Sequence, residues 1–285
     1  MDLTHHTNEE QAGLWNGLAG SAWVEAQQVL DQMFQPFQDL LVEAVCDRPG
    51  DRVLDVGCGT GGTTLAISRR LGASGRCTGI DISEPMIAAA RARVERDRAP
   101  ATFICANAQL HPFEPASFDT IVSRFGVMFF DDPVRAFENL RCAAKDHAGL
   151  RFAAWRSAAE NPFMTTAERA AGPLLPDLPP RRPDAPGQFA FADPRRIYAI
   201  LEESGWAEID IRPIDLACTL PAKELVGYLA RLGPVGLALQ DVDDRLRAKV
   251  IKTVRAAFDP YVHGEEVCFT AACWMVGASA PTAKQ

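Results

Sequence analysis

The chain has 285 residues, of which 47% are hydrophobic and 23% charged; this is the composition of one large folded domain, or a domain with an appendage, and excludes a disordered or fibrous chain. Its 37 acidic residues against 29 basic ones leave a net charge of -8, which argues against a nucleic-acid partner, since that role needs a basic face. Residues 1–11 are polar and carry no signal-peptide pattern, and the longest apolar stretch, around 267–278, is too short and interrupted to span a membrane, so a cytoplasmic protein is expected.

Apolar residues recur at helical spacing from Leu18 to Cys46, with Pro36 fitting the first turn of a second helix. A turn follows at Asp47–Gly50. Strands and helices then alternate: strand Val53–Val56, glycine turn Gly57–Gly62, helix Thr63–Leu71 stopped by Gly72, and strand Arg76–Ile82. Ser83 caps a helix to about Arg98, with Pro85 in its first turn. Strands are expected at Thr102–Ala106, Phe118–Ser123 and Leu150–Trp155, and a helix opens at Asp132-Pro133 and runs to about Lys145. The six prolines between Pro173 and Pro186 predict a stiff exposed loop. Asp193-Pro194 opens a helix ending at Ser204-Gly205; a strand at Ala207–Ala217, helices at Ala222–Leu232 and Asp241–Phe258, and a strand at Val267–Val276 complete the chain. The alternation implies a mostly parallel sheet covered by helices on both faces.

None of the eight cysteines forms a C-x-x-C pair, and no Cys/His pair has zinc-finger spacing. They read as reduced cysteines, and no metal is expected. The strongest motif is Val53-Leu54-Asp55-Val56-Gly57-Cys58-Gly59-Thr60-Gly61. Glycines here let backbone approach a ligand where a Cβ would clash, and the next helix aims its first N–H groups at an acidic group. Gly57, Gly59 and Gly62 also satisfy G-x-G-x-x-G, a weak signal on its own. Asp55 would repel a pyrophosphate but suits a ligand ammonium. Asp81, ending the second strand, can take both ribose hydroxyls of any adenosine cofactor; the alternative is a residue stabilised at a helix N-terminus.

With VLDVGCGTG (53–61), GIDIS followed by Met86, ANAQ (106–109) and FDTIVSRFGVMFF (118–130), the chain resembles the class I S-adenosylmethionine-dependent methyltransferases. It looks most like bacterial small-molecule enzymes related to the ubiquinone/menaquinone C-methyltransferases. The resemblance implies S-adenosylmethionine as cofactor and S-adenosylhomocysteine as product. It implies that Gly57 and Gly59 pack on the methionine moiety, Asp55 sits near its amino group and Asp81 holds the ribose. Ile82 and Met86 would pack on adenine, Asn107 and Ala108 would meet its edge, and Ser123 would lie beside the methionine part. Relatives often have Asp at Asn107, but an amide oxygen still accepts a hydrogen bond. They also tend to have a Pro-Gly-Gly turn where this chain has Lys145–Gly149.

Methyl transfer from a sulfonium needs alignment and water exclusion, and a base only when the acceptor must lose a proton. Three segments can reach an acceptor pocket beyond the strand ends: Trp15, Asn16 and Trp23; Arg124–Phe130; and the region after Trp155, with Asn161, Phe163, Phe189 and Phe191. Trp23 can pack against the cofactor, or with Trp15 merely anchor a helix. Arg124 can bind an acidic substrate group or the methionine carboxylate, or pair with Asp131 or Asp132. Phe125 and Met128 either line the pocket or join the core, and Phe129 and Phe130 read as core. Glu25, Glu160, Glu168 and His263 are candidate bases that read better as solvated surface, and no catalytic residue is named. Trp15, Arg124, Phe125, Met128, Trp155 and Phe163 are the substrate-side candidates.

The expected fold is α/β, a Rossmann-like seven-stranded mixed sheet, for which the resemblance implies the order 3-2-1-4-5-7-6. Its divisions are an N-terminal helical cap (1–50), a cofactor-binding core (51–156), a loop and helix lining the acceptor site (157–205), and the last two strands (206–285) with a helical lid insertion (221–262). The expected activity is methyl transfer to a small, largely apolar or aromatic molecule. A nicotinamide-dependent oxidoreductase and a non-catalytic cofactor-binding protein are the alternatives.

Overall fold

A computed structural model describes residues 3–45, 50–182 and 185–282, with side chains from residue 9 onward. Cys46, Pro183 and all of the Asp47–Gly50 turn except Gly50 lie outside these residues. The sheet is built from β1 (Arg52–Val56), β2 (Arg76–Asp81), β3 (Ala101–Cys105), β4 (Phe118–Arg124), β5 (Ala144–Trp155), β6 (Ala207–Pro221), a two-residue arm β7 (Val262–His263) and β8 (Glu266–Ser279). The order is β3-β2-β1-β4-β5-β8-β6, with β7 pairing only with β8. That is the expected order once the short arm is set aside. β1 to β5 pair in parallel, and β8 runs antiparallel to both β5 and β6. The parallel strands end together on one edge, where open sheets of this type bind ligands.

Helix starts follow the cap chemistry. The Ser83 hydroxyl accepts from Met86 N at 3.4 Å and starts α6 (Glu84–Asp97). Asp132 accepts from Arg135 N at 3.0 Å and starts α7 (Pro133–Ala143). α5 (Gly62–Leu71) follows a left-handed Gly61 and stops at Gly72. α7 ends two residues earlier than expected, and residues 144–149 continue as β5 through a register shift opposite Phe118–Thr120, with His147 at φ 64. β6 likewise runs four residues past Ala217, because its alternation continues in register with β8 to Pro221.

Three helices are absent from the sequence reading. α1 (Leu3–Asn16) lacks a clear apolar stripe. The region 18–46 splits into α2 (Leu18–Glu25), α3 (Gln27–Met33) and α4 (Gln35–Glu43), broken at Ala26 and Phe34. α8 (Pro162–Ala171) begins at Asn161-Pro162, a pair that reads equally as a turn. Further on lie α9 (Pro194–Glu203), α10 (Leu225–Arg231), the unexpected α11 (Gly233–Ala238) and α12 (Asp244–Ala257). α10 to α12 form the insertion between β6 and β8.

Asn161 ties α8 to the sheet. Its Nδ2 donates to Ala272 O at 2.9 Å and Ser157 O at 3.1 Å, and its Oδ1 accepts from Ala272 N at 2.9 Å, with the side chain 1% exposed. The helix wall of the cleft therefore hangs on one amide. Asn161→Ala is expected to destabilise the protein by roughly 2–4 kcal/mol, because buried polar partners are left unsatisfied; urea unfolding measures it, and a loss under 1 kcal/mol would show that water replaces the amide.

Candidate functional site

A cleft of about 480 Å³ opens at the carboxyl ends of β1, β2, β3 and β4, between the helical cap and the α8–α11 lid. Its floor is the glycine turn. Gly57 (φ 66) and Gly59 (φ 54) both line it in backbone conformations that side chains rarely adopt. A Cβ on Gly57 would stand 2.5 Å from the Gly126 Cα, so the turn after β1 and the turn after β4 cross at two glycines. Phe125, at φ 67, swings the chain into that crossing.

The corner of the cleft at the end of β2 is organised by Asp81. Its Oδ2 accepts from Gly59 N at 2.8 Å and its Oδ1 from Ser83 N at 2.9 Å. Burial pushes this carboxyl up, while the N–H groups of Ser83, Gly59 and Ile82 pull it back. Each oxygen keeps a further lone pair for a ligand hydroxyl. The cap is fastened to this corner: Ser83 Oγ donates to Trp15 O at 2.6 Å, Asn16 Nδ2 donates to Ile82 O at 3.1 Å, and Glu84 N donates to Asn16 Oδ1 at 2.8 Å. Gly20 packs so tightly that an added Cβ would overlap the Trp15 carbonyl. Asn16 is thus a clamp for the cap, outside the cleft lining.

The opposite end of the floor is charged. Asp55 is 1% exposed and accepts from the Thr64 hydroxyl at 2.6 Å. Burial, opposed by Thr64 and the Arg124 charge, pushes it up to about 6. Arg124 faces Asp31 of α3 at 4.0 Å, so its ion partner is Asp31 rather than Asp131 or Asp132. Asp31 is held more tightly by Arg93, at 2.8 Å, and by Gln27, at 2.6 Å. Burial lowers the Arg124 guanidinium. Its Nη1 and the Thr63 hydroxyl are buried without partners among the described residues, and both residues line the cleft. Buried donors of this kind need an acceptor.

A third polar group lines the cleft. Gln11 Oε1, Gln109 Nε2 and Asp131 Oδ1 are buried without partners, and all three residues line the cleft. Gln109 Oε1 accepts from Asp132 N at 3.1 Å. Burial and the Glu10 charge push Asp131 up to about 6.

Of the expected residues, Trp15, Trp23, Asp55, Gly57, Gly59, Asp81, Ile82, Met86, Asn107, Ala108, Arg124, Phe125, Met128, Trp155 and Phe163 line this cleft. Ser123 does not. Its hydroxyl donates to Val56 O at 2.7 Å and accepts from Gly126 N at 3.1 Å, fixing the crossing from beneath. Phe129 and Phe130 pack against the core, as expected, and also line the cleft. Phe191 is the reverse: it is buried against Phe137 and Phe152. Phe189 lies under Arg181, 4.7 Å from ring centroid to guanidinium. The proline-rich loop is not simply solvated, since Arg181, Pro186 and Gly187 form part of the cleft wall. Glu25, Glu160 and Glu168 are paired with Arg231, Arg156 and Arg181, and His263 is exposed. Asp31, Thr63, Gln11 and Tyr228 went unread because each lies outside a motif; Gln109 ends the ANAQ motif with no role assigned to it, and Asp131 was read only as a partner for Arg124.

A mostly parallel sheet with this strand order, a glycine turn after β1 and an acidic residue ending β2 are the features of a nucleoside-cofactor-binding fold. Residues 53–147 match the family described as a methyltransferase domain. The chain is 28% identical over 214 residues to nocamycin O-methyltransferase of Saccharothrix syringae, covering 69% of this chain and 74% of that one. It is 37% identical over 99 residues to the ubiquinone/menaquinone biosynthesis C-methyltransferase UbiE of Rhizobium leguminosarum bv. trifolii, covering 33% of this chain and 38% of that one. Among solved structures, the YcgJ protein of Bacillus subtilis superposes with a TM-score of 0.58 at 16% identity, over 87% of this chain and all of that one. Residues 53–147 thus form a methyltransferase domain of the class I S-adenosylmethionine-dependent type. Its cofactor is S-adenosylmethionine, and the residues present fit it: a free lone pair on each Asp81 oxygen, a buried carboxylate at Asp55, and orphaned donors at Arg124 and Thr63 for the carboxylate. Among the described residues there is no metal-binding cluster, and no helix is long and apolar enough to cross a membrane.

Proposed function

We propose that the protein transfers the methyl group of S-adenosylmethionine to a small, largely apolar or aromatic molecule. The observation that carries this reading is a cleft with a charged, hydrogen-bonding floor and an apolar, aromatic roof. The cofactor supplies a methyl group already activated on a sulfonium. This chain's residues then have to bind, orient and exclude water. Asp81 would hold the ribose hydroxyls, Asp55 the ammonium, and Arg124 with Thr63 the carboxylate. Ile82, Met86, Asn107, Ala108, Gln109 and Asp131 would enclose the adenine. Trp15 and Trp23 stand edge-to-face at 5.8 Å, and Trp15 meets Phe129 at 5.1 Å; these rings would cover the cofactor from the cap. Trp155, stacked on Phe125 at 4.9 Å, with Phe163 and Met128 would form the acceptor side.

The relatives support a small-molecule acceptor, since one is named for an O-methyltransfer on nocamycin and another for C-methyltransfer in quinone biosynthesis. Incubation with methyl-labelled cofactor and a panel of hydroxylated and carboxylated aromatics tests the reading. Transfer to at least one of them, lost in Asp81→Ala, is expected; transfer to nucleic acid alone would contradict it.

Arg124→Met gives a separate check. S-adenosylhomocysteine should bind about 10- to 100-fold more weakly, the cost of one charge-assisted contact. 5′-Methylthioadenosine, which lacks the amino-acid moiety, should bind as in the parent protein. Equal losses for both would remove Arg124 from the carboxylate site.

A further inference from the structure

The roof of the cleft holds a polar group that the reading above leaves without work. Tyr228, on α10 of the lid, lines the cleft beside Phe163, Leu229, Val235 and Phe258. Its ring lies 6.4 Å from that of Phe163, which stacks flat on Phe269 at 3.9 Å and meets Phe258 edge-on at 5.0 Å. The other polar side chains lining this half are already engaged. Glu168 accepts from Arg181 at 2.6 and 2.8 Å, Gln188 accepts from Arg181 at 3.3 Å, and Arg231 faces Glu25 at 3.5 Å. Among the described residues the Tyr228 hydroxyl has no hydrogen-bond partner. Tyr228 is only partly buried, so its hydroxyl is not sealed in protein. A phenol held among aromatic walls of a cleft is served by water while the cleft is empty, and a ligand that displaces that water must supply the hydrogen-bond partner itself.

Resting on the methyltransferase reading, we propose that Tyr228 is a specificity-determining residue, its hydroxyl hydrogen-bonding an oxygen of a planar aromatic acceptor. Burial pushes this phenol up to about 12, so it stays protonated and acts as a donor or neutral acceptor, never as a base. The aromatic walls select a flat apolar body, and Tyr228 selects for an oxygen on it. A site built to hydrogen-bond a hydroxyl discriminates strongly against the isostere that lacks one.

The test uses the full chain saturated with S-adenosylhomocysteine and two probes of similar shape, 2-naphthol and 2-methylnaphthalene, titrated by calorimetry. The parent protein should prefer 2-naphthol by about 10-fold or more, the worth of one hydrogen bond in a dry site. In Tyr228→Phe that preference should fall to about 3-fold or less, with 2-methylnaphthalene and S-adenosylhomocysteine binding unchanged. No preference in the parent, a preference that survives Tyr228→Phe, or no binding of either probe would each overturn the proposal. Failure of S-adenosylhomocysteine to bind at all would instead sink the methyltransferase reading beneath it.

Discussion

Asp81→Ala should bind S-adenosylhomocysteine at least about 100-fold more weakly than the parent protein. The estimate combines two losses. The first is the pair of hydrogen bonds a carboxylate can accept from vicinal ribose hydroxyls, each worth roughly 1.5–3 kcal/mol when one partner is charged. The second is preorganisation. Asp81 ties Gly59 of the glycine turn to Ser83 at the start of α6, at 2.8 and 2.9 Å. Removing it leaves both N–H groups without their acceptor and loosens the corner on which the cap sits through Asn16 and Trp15. Asp81→Asn separates the two, because an amide oxygen still serves one N–H but the NH2 group opposes the other. It should fall between parent and alanine variant. Calorimetry reads the affinity, and a loss below about 5-fold in the alanine variant would show that the ribose is held elsewhere.

Asp55→Asn should give a protein that is more stable yet a poorer cofactor binder. The side chain is buried at the end of β1, with compensation from Thr64 alone among its hydrogen-bond partners. Burial raises the carboxyl from 3.8 to about 6. The folded state therefore keeps a proton that the unfolded chain releases between those values. The contribution of Asp55 to stability falls as pH rises through this window, and its full cost is present above about pH 6. Moving a carboxyl that far is equivalent to up to roughly 3 kcal/mol. Asparagine keeps the acceptor for Thr64 and carries no charge. Its advantage in thermal unfolding should be largest at pH 8 and shrink towards pH 4. A pH-independent difference would mean that packing, not desolvation, distinguishes the two. Binding should move the other way: the affinity of the parent protein for S-adenosylhomocysteine should decline below pH 6, and that of the variant should stay flat and low. Burying this carboxylate thus exchanges stability for a charge that suits the ligand's ammonium.

The glycine turn and Asp81 were legible because each is written locally, as a glycine run and an acidic residue at a fixed distance; the strand order followed from the family resemblance those motifs carry. Ser83, Asp132 and Asp193 announced their helices through side chains that accept from N–H groups two or three residues on. What was not legible depends on partners far apart in the chain. Asp31 looks like one polar residue in a helix until Arg93 and Arg124 meet it from 62 and 93 positions later. Asn161 reads as one of the residues able to reach the acceptor pocket until Ala272, 111 positions on, engages both ends of its amide. Ser123 was misread for the opposite reason: it ends β4 beside the cleft, but its hydroxyl points at Val56 O beneath the floor. Tyr228 has no motif and is brought to the roof only by the insertion between β6 and β8.

The cleft should bind the cofactor of the methyltransferases and not a dinucleotide. The most direct measurement is calorimetric titration of the purified protein with S-adenosylhomocysteine and, separately, with NADH. Saturable binding of S-adenosylhomocysteine, lost in Asp81→Ala, with no heat from NADH, is the predicted result. Binding of NADH alone would contradict it and make the glycine turn a pyrophosphate site.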